Sequence, residues 1–100
     1  MIYWMSKEVS DLIEDSAVPI RLMVCSGSPK GHIELSCEFG DTINPHIDLG
    51  DCTGLTDAEI NARFVKEFAK VAERYLKRSD LLWNIAGYLE TFSQAMLDTL

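Results

Sequence analysis

Thr56–Ser79 reads TDAEINARFVKEFAKVAERYLKRS, and this stretch decides the fold. Ile60, Phe64, Phe68, Val71, Ala72 and Tyr75 recur at steps of three and four, which places them on one face of a helix. Thr56 and Glu59 have the spacing of a capping box: the hydroxyl accepts from the Glu59 N–H while the carboxylate reaches back to the Thr56 N–H. Lys77 and Arg78 lie near the far end, where cations suit the helix dipole. A helix with one apolar face needs an apolar surface to cover it, and the flanking segments must supply that surface.

Upstream, Val18–Cys25 and His32–Phe39 both alternate, and Ser26-Gly27-Ser28-Pro29-Lys30-Gly31 between them is turn chemistry. An antiparallel hairpin is predicted in which Cys25 pairs with His32, Val24 with Ile33, Leu22 with Leu35, Ile20 with Cys37 and Val18 with Phe39. These apolar residues share one side of the sheet, and a slip of one residue would break the match. The other side carries Arg21, Met23, Cys25, His32, Glu34, Ser36 and Glu38 and reads as solvated. Ile43, Ile47 and Leu49 are candidates for a third strand, interrupted by Asn44-Pro45, which would make the sheet more stable than an isolated hairpin.

A short helix is predicted over Ser6–Ser16, capped by Ser6, with Val9, Leu12, Ile13 and Ala17 as its apolar stripe. Pro19 ends any helix before it. Downstream, Ser79-Asp80 is a tight joint, and a second long helix is predicted over Leu81–Leu97 with Leu81, Leu82, Ile85, Leu89, Phe92 and Met96 as its stripe. Trp83 and Tyr88 lie away from the centre of that stripe, so this helix offers a second surface for contact. The predicted fold class is α+β. It is a single domain over residues 1–100 with the order α-β-β-(β)-α-α, its last two helices antiparallel and covering one sheet face.

Composition bounds the function. One hundred residues make one domain that buries roughly 60–68% of its unfolded surface. A net charge of −7 argues against direct nucleic-acid binding and against an anionic membrane surface, and suits a partner with a basic surface. Cys25, Cys37 and Cys52 are odd in number and widely spaced, which disfavours a disulfide scaffold and suits a reduced, cytoplasmic setting. The apolar Met1–Met5 is too short for a signal peptide or a span, and both methionines are candidate starts.

Three constellations are candidates for a binding surface. Arg63, Lys66, Lys70, Arg74 and Lys77 share one helix face, which suits either an anionic partner or a solvated face with pairs such as Glu67–Lys70. Thr56–Asp80 holds six basic against five acidic residues, while the remainder holds three basic against eleven acidic. Glu8, Asp11, Glu14 and Asp15 cluster on the first helix, and Glu34, Glu38, Asp41, Asp48 and Asp51 line the outer sheet face and the loop after it. Carboxylates held on a rigid surface imitate phosphates, so this set suits occupation of a nucleic-acid groove on another protein; solubility charge is the plainer alternative. Trp83 and Tyr88, with Trp4, are typical interface anchors and make a homodimer the third expectation.

No catalytic, cofactor or metal site is predicted. Cys25, His32, His46 and Cys52 have the right donor types for zinc, and the predicted register sets Cys25 beside His32, which also allows a Cys–His nucleophile pair; their spacing matches no established zinc pattern, and a half-buried thiol with a surface histidine is the plainer alternative. Gly27–Gly31 lacks the phosphate-loop signature and joins two strands. The leading expectation is therefore a small acidic interaction protein without enzymatic activity. One concrete version is a phage or mobile-element inhibitor of a nucleic-acid-handling complex, of the anti-CRISPR kind. The alternatives are an adaptor subunit of a homo-oligomer and, less favoured, a Cys/His metal protein or small enzyme.

Overall fold

The structure is a computed structural model that describes residues 2–40, 44–76 and 79–100; the side chains of residues 79–84 and 86 also fall outside the description. Its elements run α1 (Lys7–Glu14), β1 (Ile20–Val24), β2 (His32–Phe39), β3 (His46–Asp51), α2 (Asp57–Leu76) and α3 (Ser79–Asp98). The three strands form one antiparallel sheet in the order β1-β2-β3. This is the α+β order expected from the sequence, with the third strand present over His46–Asp51; Ile43 lies outside the described residues. No helix among the described residues is long and apolar enough to cross a membrane.

The capping box and the apolar face of α2 operate as read, while Lys77 and Arg78 lie outside the described residues. Thr56 N donates to Glu59 Oε1 at 3.1 Å, and Glu59 N donates to Thr56 Oγ1 at 3.2 Å. Those two Thr56 donors, backbone N–H first and hydroxyl second, hold the Glu59 carboxyl below its usual range. In α1, Ser6 Oγ accepts from Val9 N at 3.2 Å. The helix is shorter than predicted and ends at Glu14, because Ser16 Oγ lies 2.8 Å from the Ile13 carbonyl and 2.7 Å from that of Val18 and turns the chain toward β1. Ala17, expected in the apolar stripe, is exposed beyond this turn.

The hairpin register differs from the predicted one by two residues. Ile20 pairs with Phe39, Leu22 with Cys37 and Val24 with Leu35, and Cys25 N donates to the carbonyl of Glu34, not to that of His32. The loop is longer because Pro29 and Gly31 build a turn of their own, in which His32 N donates to Pro29 O at 3.0 Å. His32 and Ile33 then pair only with β3. A shift of two preserves side-chain parity, so every apolar residue stays on the face assigned to it.

That face is the floor of the core. Leu35, Cys37 and Phe39 of β2 and Ile47 and Leu49 of β3 are buried against Ile60, Phe64, Phe68, Val71 and Ala72 of α2. Leu89, Phe92 and Met96 of α3 close the same cluster. Aromatic rings form its spine. Trp4 leans on Phe64 at 5.5 Å, Phe64 on Phe68 at 6.0 Å, and Phe68 meets Phe39 at 5.7 Å and Phe92 at 5.3 Å, both edge-on. Buried Asn61 ties α1 to α2 by accepting from Ser6 N at 2.8 Å.

Candidate functional site

The outer sheet face gathers the polar chemistry. Strand alternation turns Arg21, Met23 and Cys25 outward beside Glu34, Ser36 and Glu38 of β2 and His46 and Asp48 of β3. A β-bulge between Ile33 and Glu34 sets β3 opposite β2 with Gly50 at φ 70°, a conformation that glycine adopts without strain. Asp48 Oδ1 accepts from Gly50 N at 2.8 Å and steadies the bulge.

Two diagonal imidazole–carboxylate pairs result: His46 Nδ1 lies 2.9 Å from Glu34 Oε1, and His32 Nε2 lies 2.8 Å from Asp48 Oδ1. The Cys25 thiol completes a group with Glu34 and His46 whose donor atoms all lie within 4.8 Å of one another. The four residues Cys25, His32, His46 and Cys52 therefore do not form one cluster. The two-residue shift moves His32 away from Cys25 and onto Asp48. Cys52 lies on the core face, buried, with Sγ 3.6 Å from the Gly50 carbonyl. The residue missing from the sequence-derived set is Glu34. Its parity was readable, but its adjacency depends on the register and the bulge.

The acids divide into committed and open groups. Glu38 lies 3.8 Å from Arg21. Asp51 Oδ1 accepts from Thr53 N at 2.9 Å, and the Thr53 hydroxyl and N–H, with His32 and Arg63 nearby, hold its carboxyl below the usual range. On α1, Asp11 is bound by Lys7 at 2.7 Å, whereas Glu8, Glu14 and Asp15 are exposed. Asp41 lies outside the described residues. Beside Glu14, an open cleft of about 760 Å³ runs between the end of α1 and the outer edge of the sheet. Ile13, Pro19 and Ile20 give it an apolar lining, with Arg21 at its wall and Glu14 and Glu38 contributing acid groups. β1 is an edge strand, and Met23 and Val24 continue from the cleft with more than half of each side chain exposed.

The basic stripe is not a uniform surface. Arg63 Nη1 donates to the carbonyls of Leu49 and Asp51, both at 2.9 Å, and so clamps the end of β3 to α2. Lys70 pairs with Glu67 at 2.9 Å, as its spacing predicts. Lys66 and Arg74 are exposed, and Lys77 lies outside the described residues. Of the two interface candidates on the last helix, the Trp83 side chain lies outside the described residues. Tyr88 is half-buried and stacks on Phe92 at 5.6 Å, so it belongs in part to its own fold. Trp4 is fully inside the core.

No protein-family model, no curated protein and no solved structure matches this chain.

Proposed function

We propose that this chain is a small interaction domain without enzymatic activity, whose acidic edge receives a basic, extended segment of a partner protein. The observation that supports the reading is the cleft at the free edge of β1, where an apolar lining is bordered by Glu14 and by the Arg21–Glu38 pair and continues into exposed Met23 and Val24. An edge strand offers backbone donors and acceptors to an added strand, and alternate side-chain pockets give such pairing its selectivity. Exposed Glu8, Glu14 and Asp15 extend the negative surface beyond the cleft. Nucleic-acid-handling proteins carry basic surfaces of the matching kind, and an inhibitor of the anti-CRISPR type would work by occupying one. A reduced cytoplasmic setting suits the three free thiols.

The test is capture of partners from host lysate at low and high salt, with wild type and with a Glu8→Lys, Glu14→Lys, Asp15→Lys variant. The expected outcome is one retained basic protein or complex that is lost as salt rises and is absent with the variant. A partner held equally by both proteins, and equally at high salt, would overturn the reading.

A further inference from the structure

Three strands of the sheet contribute one donor each to a compact group: Cys25 just after β1, Glu34 on β2 and His46 on β3. Thiolate, imidazole and carboxylate together are the donor set of a borderline-soft divalent ion, and they suit neither calcium nor magnesium, which take oxygen ligands. We propose that Cys25 Sγ, Glu34 Oε1 and His46 Nδ1 form a binding site for a zinc-class divalent cation on the outer face of the sheet.

Geometry favours this reading. Bonds of about 2.0–2.3 Å in a tetrahedral zinc site set neighbouring donor atoms roughly 3.3–3.7 Å apart. His46 Nδ1 and Glu34 Oε1 are now 2.9 Å apart, and all three donors lie within 4.8 Å of one another. A cation entering between them spreads the first pair and draws in the thiol, a movement within the reach of side-chain rotation. The strands that carry the ligands are hydrogen-bonded to one another, so the backbone frame is fixed before binding.

Charge supplies a second, independent argument. Glu34 and Asp48 are direct partners across β2 and β3, and like charges in that relation destabilise a sheet. Each carboxylate of the pair has an imidazole as its polar neighbour, His46 beside Glu34 and His32 beside Asp48. A divalent ion on Glu34 would relieve the repulsion between the two carboxylates, with the Asp48–His32 pair left intact beside it. Half-buried Cys25 and Glu34 shelter one side of the site, and exposed His46 leaves its remaining coordination position facing solvent.

The test uses the full chain, reduced and stripped with chelator, titrated with Co²⁺ and separately with Zn²⁺. Co²⁺ is expected to bind once per chain with a thiolate-to-cobalt charge-transfer band, and Zn²⁺ is expected to displace it. Loss of a mere outer-shell partner costs metal sites about 10–100-fold in affinity, so Glu34→Gln and His46→Ala should each cost at least that much. Cys25→Ser should abolish the band, whereas Cys52→Ala should keep it. Absence of the band in the wild type overturns the proposal. So does a band that survives Cys25→Ser, or one that is indifferent to both Glu34→Gln and His46→Ala, because a lone thiol would then be the ligand. The Cys25, Glu34 and His46 substitutions are on the solvent side of the sheet, whereas Cys52 is buried, and circular dichroism of each metal-free variant, Cys52→Ala included, checks that the fold is retained.

Discussion

Cys37 shows what burial does to a single titratable group. Its thiol sits on the core face of β2, and loss of solvent, with a smaller contribution from the Glu38 carboxylate, pushes its pKa up to about 12. The folded state therefore holds this proton more tightly than the unfolded chain does. Stability from this group is complete below the ordinary thiol value of 9.0 and is lost as pH rises from there toward about 12. Within that window the loss is about 1.4 kcal/mol per pH unit at most. Chemical denaturation of wild type and Cys37→Val between pH 8 and pH 11 should show the wild type losing stability faster. Thiol-reactive reagents should modify Cys25 first, because Cys37 and Cys52 are buried. Gly31 presents a steric constraint in place of an electrostatic one. Its φ is 85°, and an added Cβ would run into the Thr53 side chain. Gly31→Ala should cost about 1–3 kcal/mol from the backbone conformation alone, with further cost from that collision, measured by urea titration. Ser10 makes the opposite case. Its hydroxyl is buried without a hydrogen-bond partner among the described residues, so Ser10→Ala should leave stability unchanged or raise it.

At the scale of elements, α2 is held at its start by a reciprocal cap and along its length by one apolar face. Thr56→Ala removes the side-chain acceptor for Glu59 N. For a domain this size the expected loss in Tm is about 4–8 °C by thermal denaturation. The same cap makes a pH prediction. The Glu59 carboxyl is held below its usual 4.5, so its contribution is present above that value and fades as pH falls through the lowered one. Thr56→Ala should therefore lose less stability between pH 5 and pH 3 than the wild type does. This helix was legible because capping and periodicity are local, and Thr56, Glu59, Ile60 and Phe64 lie within nine residues of one another. The hairpin was legible only in part. Alternation assigns faces to Leu22, Leu35 and Cys37, but a shift of two leaves that pattern unchanged, so periodicity has no power to choose between the two registers. The choice was made by the turn at Pro29–His32 and by the pairing of His32 with Asp51 on a third strand. The grouping of Cys25, Glu34 and His46 depends on that register and on the Gly50 bulge. It was hidden for the same reason, and so was the Ser6–Asn61 tie between α1 and α2, a contact between residues 55 positions apart.

The whole molecule is organised on Phe68, whose ring meets the sheet, its own helix and the last helix through Phe39, Phe64 and Phe92. Every ring in the spine from Trp4 to Tyr88 connects through it or through a ring that it contacts. A domain of this length has a total stability of roughly 5–15 kcal/mol. Truncating a buried Phe to Ala costs about 3–5 kcal/mol when the surroundings collapse only in part. Here the cavity would open where the sheet, α2 and α3 meet, so the cost should fall at the upper end. Phe68→Ala is therefore expected to remove a third or more of the unfolding free energy and to increase binding of a hydrophobic dye. Phe68→Leu retains most of the apolar volume and should cost much less. Urea titration of both variants separates two pictures of the core. If Phe68→Ala and Trp4→Ala cost the same, the rings act as independent buried groups. If Phe68→Ala costs clearly more, the sheet and the two long helices are coupled through this one side chain, and the edge of β1 proposed for partner binding depends on that coupling for its rigidity.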